Sequence, residues 1–166
     1  GYDDFLIGAY RNDTTGTDAG SVYLFYGTPT LFSSTITLSN ANAKFMGEAA
    51  GDEAGISAAS AGDINGDGYD DFLIGAFLND TTGSGSGAAY LFYGTPTIFS
   101  GSITLSNANA KFTGEAEDDR AGRSVACAGD VNNDGYDDFL IGAYFCNATG
   151  THAGAAYLFY GTTTVF

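Results

Sequence analysis

Moved along itself by 67 residues, the sequence meets its own copy: Gly1-Tyr2-Asp3-Asp4-Phe5-Leu6-Ile7-Gly8-Ala9 recurs letter for letter from Gly68 to Ala76 and again from Gly135 to Ala143. Residues 1–67 and 68–134 agree at about 48 positions. Self-similarity at a fixed period means that the copies arose by recent duplication and fold as equivalent stacked units. The repeat therefore sets the architecture, and each unit has to be read together with its neighbours.

Within a unit the signals are those of strands. The chain has 25 Gly and only two Pro in 166 residues, which suits many tight turns and closely approaching backbones. A hydrophobic share of 44% with 14% aromatics gives enough apolar area for a packed core. Four strands are expected per unit. The first is rich in small residues, Ala54 to Gly62 and Ala121 to Gly129, and the second is apolar, Asp70 to Ala76 and Asp137 to Ala143. A third runs through Tyr90-Leu91-Phe92-Tyr93, and a fourth through Ser102-Ile103-Thr104-Leu105 towards Phe112. In the first copy the fourth strand is expected at Thr35-Ile36-Thr37-Leu38-Ser39-Asn40, alternating as an outer edge strand does.

The second and third strands are apolar on both faces: Phe72 and Ile74 oppose Leu73, and Tyr90 and Phe92 oppose Leu91 and Tyr93. Blades stacked radially bury both faces of their middle strands, whereas a sandwich with one wet face shows clean alternation. The expected fold is all-β, with β-propeller blades of four antiparallel strands. The units divide as 1–53, a partial blade lacking its innermost strand; 54–120, a complete blade; and 121–166, a partial blade lacking its outermost strand. Two and a half blades do not close a ring, so the chain is expected to be part of a larger array of seven blades or more.

Charge narrows the partners. Twenty acidic against five basic residues leave a net charge of −15, which disfavours nucleic acid and anionic membrane surfaces. No apolar stretch approaches the ~20 residues of a membrane span, and Gly1 starts neither with Met nor with a signal-peptide pattern. Cys127 and Cys146 form no disulfide framework or metal-ligand spacing and are expected to stay separate thiols.

Between the first two strands lies Asp63-Ile64-Asn65-Gly66-Asp67-Gly68-Tyr69-Asp70-Asp71, repeated as Asp130-Val131-Asn132-Asn133-Asp134-Gly135-Tyr136-Asp137-Asp138. Side-chain oxygen donors fall at alternate places, Asp63, Asn65, Asp67 and then Asp71, with their counterparts Asp130, Asn132, Asp134 and Asp138. A curling loop aims every second side chain inward, Gly68 and Gly135 allow the sharp turn, and the carbonyls of Tyr69 and Tyr136 can add a donor. All-oxygen ligands without His or Cys suit Ca²⁺. The alternative is an Asx-rich turn solvated without metal, in which three converging carboxylates would repel one another. An EF-hand is excluded because its twelfth position is Ile74 or Ile141, inside a strand. Asp4 matches the last ligand place of a third loop. Asp3, Asp70 and Asp137 are expected to be solvated neighbours.

The chain resembles the FG-GAP repeat family, found in the integrin α-subunit propeller and in microbial surface proteins. The segment from Ala121 to Ala126 followed by Ala128-Gly129-Asp130 is similar to the FG half, and Asp138 to Ala143 to the GAP half. The resemblance implies calcium in the loop between them. Ala54 and Ala121 stand where the family name has Phe, and Phe77 or Tyr144 where it has Pro.

Divergence between copies is concentrated at the end away from these loops. Ala50, Gly51, Glu53 and Ile56 become Glu117, Asp118, Arg120 and Arg123, and Thr17-Asp18-Ala19 becomes Thr151-His152-Ala153. Variable loops on a constant scaffold are where recognition is built, which makes Arg120, Arg123 and His152 binding-face candidates; neutral drift is the competing account. Sequons at Asn12, Asn79 and Asn147 share that end and are glycosylation candidates in a secreted chain. With His152 the sole His and no base beside either Cys, catalysis has little support. The reading is a non-enzymatic, extracellular or cell-surface calcium-binding propeller segment serving adhesion or ligand recognition. Its partners are expected to be a protein or glycan ligand and flanking repeats or neighbouring copies. The alternatives are a structural repeat of a surface layer or extracellular fibre, and a propeller appended to a hydrolase.

Overall fold

The computed structural model describes residues 2–30, 32, 34–164 and 166. Its strands are β1 (Phe5–Ala9), β2 (Ser21–Phe25), β3 (Ala43–Met46), β4 (Ser57–Gly62), β5 (Asp71–Ala76), β6 (Ala88–Phe92), β7 (Gly101–Thr104), β8 (Ala110–Thr113), β9 (Ala121–Gly129), β10 (Asp138–Ala143) and β11 (Ala155–Phe159). They form three sheets, β1-β2-β3-β7, β4-β5-β6-β8 and β9-β10-β11, called here blades 1, 2 and 3. The repeat is kept to the residue: Phe5 pairs with Phe25, Phe72 with Phe92 and Phe139 with Phe159. This is the all-β architecture of propeller blades.

Both faces of the middle strands are covered in blade 2, where every residue of β5 and β6 is buried. The front face, carrying Phe72, Ile74, Tyr90 and Phe92, packs on Val22, Leu24 and Phe45 of blade 1. The back face, carrying Leu73, Ala89 and Leu91, packs towards Phe139 and Ile141 of blade 3. Inner strands approach backbone to backbone. A Cβ on Gly75 of β5 would lie 1.9 Å from the Gly122 carbonyl oxygen of β9, so small residues are a steric requirement there.

One phenylalanine per blade is the plug of each interface. Phe45, on the outer strand of blade 1, sits with its ring centroid 5.2, 4.8 and 5.5 Å from those of Phe72, Phe92 and Phe99 of the next repeat. Phe112 repeats this against Phe139, Phe159 and Phe166 at 5.4, 4.7 and 5.6 Å. In each socket the paired rings of the two middle strands are stacked, and the plug meets them edge-on or tilted, the offset and edge-to-face geometries that aromatic quadrupoles favour.

The fourth strand is not where the sequence pattern placed it. In blade 2 the outer strand is Ala110–Thr113, paired antiparallel with β6, and in blade 1 it is Ala43–Met46, paired with β2. The alternating segment Ser102-Ile103-Thr104 instead belongs to β7, which runs parallel to β3 and seals the outer edge of the preceding blade. A turn of 3₁₀ helix, Leu105–Asn107, separates the two. Its counterpart in the first copy is the 3₁₀ turn Leu38–Asn40, so the expected strand over 35–40 is absent.

Candidate metal centre

The two complete aspartate loops join β4 to β5 and β9 to β10 and share most of their internal wiring. The Asp63 carboxylate accepts the backbone N–H groups of Gly66, Asp67 and Gly68 at 2.7, 3.0 and 2.9 Å. Asn65 Oδ1 accepts Asp67 N–H at 2.9 Å, and Asp67 Oδ1 accepts Tyr69 N–H at 3.0 Å. In the other loop Asp130 accepts from Asp134 and Gly135, Asn132 from Asp134, and Asp134 from Tyr136, all within 3.0 Å. The loop thus curls around the side chains of its first, third and fifth residues. The backbone at Gly66 is left-handed, φ 75°, and its place in the other loop is taken by Asn133 at φ 59°, a residue that tolerates this region.

Asp71 is fully buried at the loop exit. Its two oxygens accept N–H groups from Ile64 at 3.1 Å and from Gly94 at 2.8 Å, which ties the loop to the turn after β6. Asp138 does the same with Val131 and Gly161, both at 2.9 Å, and Asp4 holds Gly27 N–H at 2.8 Å. Burial pushes the Asp71 carboxyl up to about 7; the two N–H bonds oppose this, and the neighbouring Asp67 and Asp63 charges add to it.

Among the described residues no three His, Cys, Asp or Glu side chains are gathered tightly enough to hold a metal ion by themselves. The donor set nonetheless fits a hard cation. It is all oxygen, it includes the Asn65 and Asn132 carbonyls, and an ionised carboxylate offers about four acceptor positions, more than these N–H groups occupy.

The loops also hold each other. Asp137 Oδ2 accepts Asp63 N–H at 3.0 Å, and Asp137 N–H bonds the Asp63 carbonyl at 3.2 Å. Asp137 is therefore a brace between adjacent loops rather than a solvated neighbour.

At the opposite end the connectors 77–87, 114–120 and 144–154 meet, through Asp118 N–H to Ser84 O, Arg120 N–H to Gly85 O and Phe145 N–H to Asp119 O. The three binding-face candidates sit here. Arg120 pairs with Asp118 at 2.6 Å, Arg123 lies exposed over the Phe77 ring at 5.6 Å, and His152 stacks on Phe145 at 4.2 Å.

The three sequons are not equivalent. Asn79 is 4% exposed, and its Nδ2, the atom a glycan would use, donates to Asp52 at 3.0 Å and to the Tyr90 hydroxyl at 3.3 Å. Asn12 is half-buried and donates to Tyr23, whereas Asn147 is exposed. Its sequon is displaced by one residue, because the place of Asn79 in the third copy belongs to Cys146. That thiol is buried, 3.7 Å from the Tyr157 hydroxyl, and Cys127 is exposed; both are free.

Sequence reading missed a polar cluster beneath this end. Tyr90 donates to Glu48 at 2.8 Å, Lys111 pairs with Glu48 at 2.6 Å, and Asn79 bonds Asp52. The one available signal was repetition, since Tyr23, Lys44 and Glu48 return as Tyr90, Lys111 and Glu115.

β-Sheet blades packed front to back, with an aspartate loop between the inner strands of blades 2 and 3, define a repeat-built β-propeller segment. The chain belongs to the FG-GAP repeat family, whose model matches residues 54–92 and 121–159. It is 34% identical over 164 residues to integrin alpha-5 of Xenopus laevis, a match covering 96% of this chain and 14% of that protein. Integrin alpha-4 of Xenopus laevis is 31% identical over 162 residues, 95% of this chain and 13% of the relative. Integrin alpha-11 of Homo sapiens is 33% identical over 100 residues, 60% of this chain and 8% of the relative. The chain thus spans a small part of the length of the curated relatives it matches.

Proposed function

We propose that this chain is an extracellular, non-enzymatic propeller segment that binds Ca²⁺ in its aspartate loops and serves adhesion or ligand recognition at the opposite end. The observation that carries the metal reading is the wiring shared by two loops 67 residues apart, in which corresponding side-chain oxygens accept corresponding backbone N–H groups. Asp63, Asn65, Asp67, Asp71 and the Tyr69 carbonyl would hold one ion; Asp130, Asn132, Asp134, Asp138 and the Tyr136 carbonyl would hold another. Asp4 supplies part of a third such loop. A bound cation offsets the repulsion between loop carboxylates and adds its binding energy to folding, because the open chain lacks the site. Two ions would take the formal charge from −15 to about −11.

The similarity to integrin alpha subunits supports a cell-surface setting and a protein or glycan partner. Arg120, Arg123 and His152 form the face proposed to meet it. With Asn79 turned inward, Asn147 is the sequon best placed to carry a glycan.

The deciding experiment is a melting curve with and without chelator. Chelation is expected to lower Tm, calcium to restore it saturably, and Mg²⁺ to restore it less, since Mg²⁺ prefers a smaller, hydrated octahedral site. Asp67→Ala and Asp134→Ala should each remove part of the calcium effect. A melting curve indifferent to chelator, with calcium confirmed absent, would return the loops to Asx turns. Replacing 114–120 by its first-copy counterpart 47–53, and 144–154 by its second-copy counterpart 77–87, should abolish ligand binding at unchanged Tm; retained binding would point to drift.

A further inference from the structure

We propose that Asn65 is a self-modifying site: the backbone nitrogen of Gly66 displaces its side-chain amide as ammonia, and the isoaspartyl product unmakes that one aspartate loop. The chain holds ten asparagines, and Asn65 alone is followed by Gly. Its counterpart Asn132 is followed by Asn133, so the two loops form an internal comparison. Asn65 Oδ1 accepts Asp67 N–H at 2.9 Å, and Asn132 Oδ1 accepts Asp134 N–H at 3.0 Å. Each bond spans one residue and folds the side-chain carbonyl back over that residue's nitrogen, the atom that has to attack. The same N–H stabilises the negative charge that grows on Oδ1 as a tetrahedral centre forms. The amide nitrogens are held alike, Asn65 by Asp67 at 3.1 Å and Asn132 by Asp134 at 2.8 Å.

What differs is the nucleophile. Gly66 N–H donates to Asp63 Oδ1 at 2.7 Å, within reach for proton transfer, whereas Asp130 takes only the N–H groups of Asp134 and Gly135 among the described residues. Gly66 also has no side chain to shield its nitrogen. A Cβ there would lie 2.5 Å from the Tyr136 ring of the next blade, so the packing that requires this glycine also leaves the peptide bond before it open to reaction. In the step itself Asp63 Oδ1 takes the Gly66 proton, the nitrogen bonds Cγ of Asn65, and the Cγ–Nδ2 bond breaks, the amide taking up a proton to leave as ammonia. Water then opens the resulting succinimide. Opening at the side-chain carbon gives aspartate; opening at the main-chain carbon gives isoaspartate, whose backbone carries an extra methylene. That insertion breaks the alternate spacing of the donors at 63, 65 and 67. Its effect on metal rests on the calcium reading: this loop should lose its ion and the loop at 130–138 keep its own.

The test ages the 166-residue chain in chelator and follows each asparagine by fragmentation mass spectrometry. The mass gain of an amide becoming an acid separates this reaction from isomerisation at Asp67-Gly68 or Asp134-Gly135, which changes no mass. Asn65 is expected to convert about tenfold or more faster than Asn132. Asp63→Asn should slow Asn65 severalfold, and Asn65→Gln should stop conversion in its loop. Asn133→Gly, at a φ of 59° that glycine accepts without strain, should make Asn132 reactive. Equal rates at Asn65 and Asn132 in the unaltered chain, or an Asn132 that Asn133→Gly leaves inert, would overturn the proposal. By titration calorimetry the isoaspartyl fraction should bind one calcium ion fewer than fresh chain, and equal binding would overturn the loss of the loop. Fresh chain that binds no calcium would instead sink the calcium reading, with conversion at Asn65 still read by mass alone.

Discussion

Asp71 shows how one residue can serve both the fold and the proposed ion. Its carboxyl is buried and pushed up to about 7, against ~3.9 in an unfolded chain. In the calcium-free protein the folded state therefore holds a proton more tightly than the unfolded state. That contribution is complete below about pH 4 and lost as pH rises through 7. Chelated protein should lose stability between about pH 4 and 7, and Asp71→Asn should flatten that slope. Calcium, which needs the ionised carboxylate, should reverse it, so that loaded protein gains stability over the same window; Tm against pH, with and without chelator, checks the sign. Asn79 carries a second prediction. Asn79→Ala removes a donor from the buried Asp52 carboxylate and should cost about 1–3 kcal/mol by denaturant titration. Asn147→Ala, at an exposed position, should cost below about 1 kcal/mol. Intact-mass analysis of natively secreted material is expected to find any glycan on Asn147 and none on Asn79.

At the scale of elements, the plugs are where the repeats depend most on one another. Phe112→Ala would empty a socket formed by Phe139, Phe159 and Phe166 and should cost about 3–5 kcal/mol. Thermal unfolding with near-UV CD would register both the loss and the loosened rings. The strands β5 and β6 were legible in the sequence because their signals are local: two-faced apolar runs bounded by turns. The aspartate loops joining the inner strands were legible for the same reason. What escaped was pairing between units. Thr35-Ile36-Thr37-Leu38 alternates more clearly than Ala43-Lys44-Phe45-Met46, yet the second is the outer strand. Alternation reports a half-covered strand, not whose edge it joins, and β7 uses that pattern on the neighbouring blade. Asp137 escaped likewise, because its bond reaches Asp63, more than a repeat away.

Over the whole molecule, the acidic loops lie at one end of the blades and the variable connectors at the other, so the proposed calcium and recognition sites are held apart by the length of the strands. Loss of the ion should then weaken ligand binding only through unfolding. Below the chelated Tm, ligand affinity of the metal-free chain should match that of the loaded chain within about twofold by titration calorimetry, a difference of only a few tenths of a kcal/mol. The parallel pairing of β7 with β3 has one more consequence, for solubility. An open sheet edge is a template for aggregation. The second repeat donates β7 to cover the outer edge of the first, and a row that continues this pattern leaves the outer strand of each repeat to be covered by its successor. The exposed edge is therefore passed along the row and never cancelled, however many repeats are added. A linear run of these blades always keeps one sticky end, and joining the last blade to the first removes it.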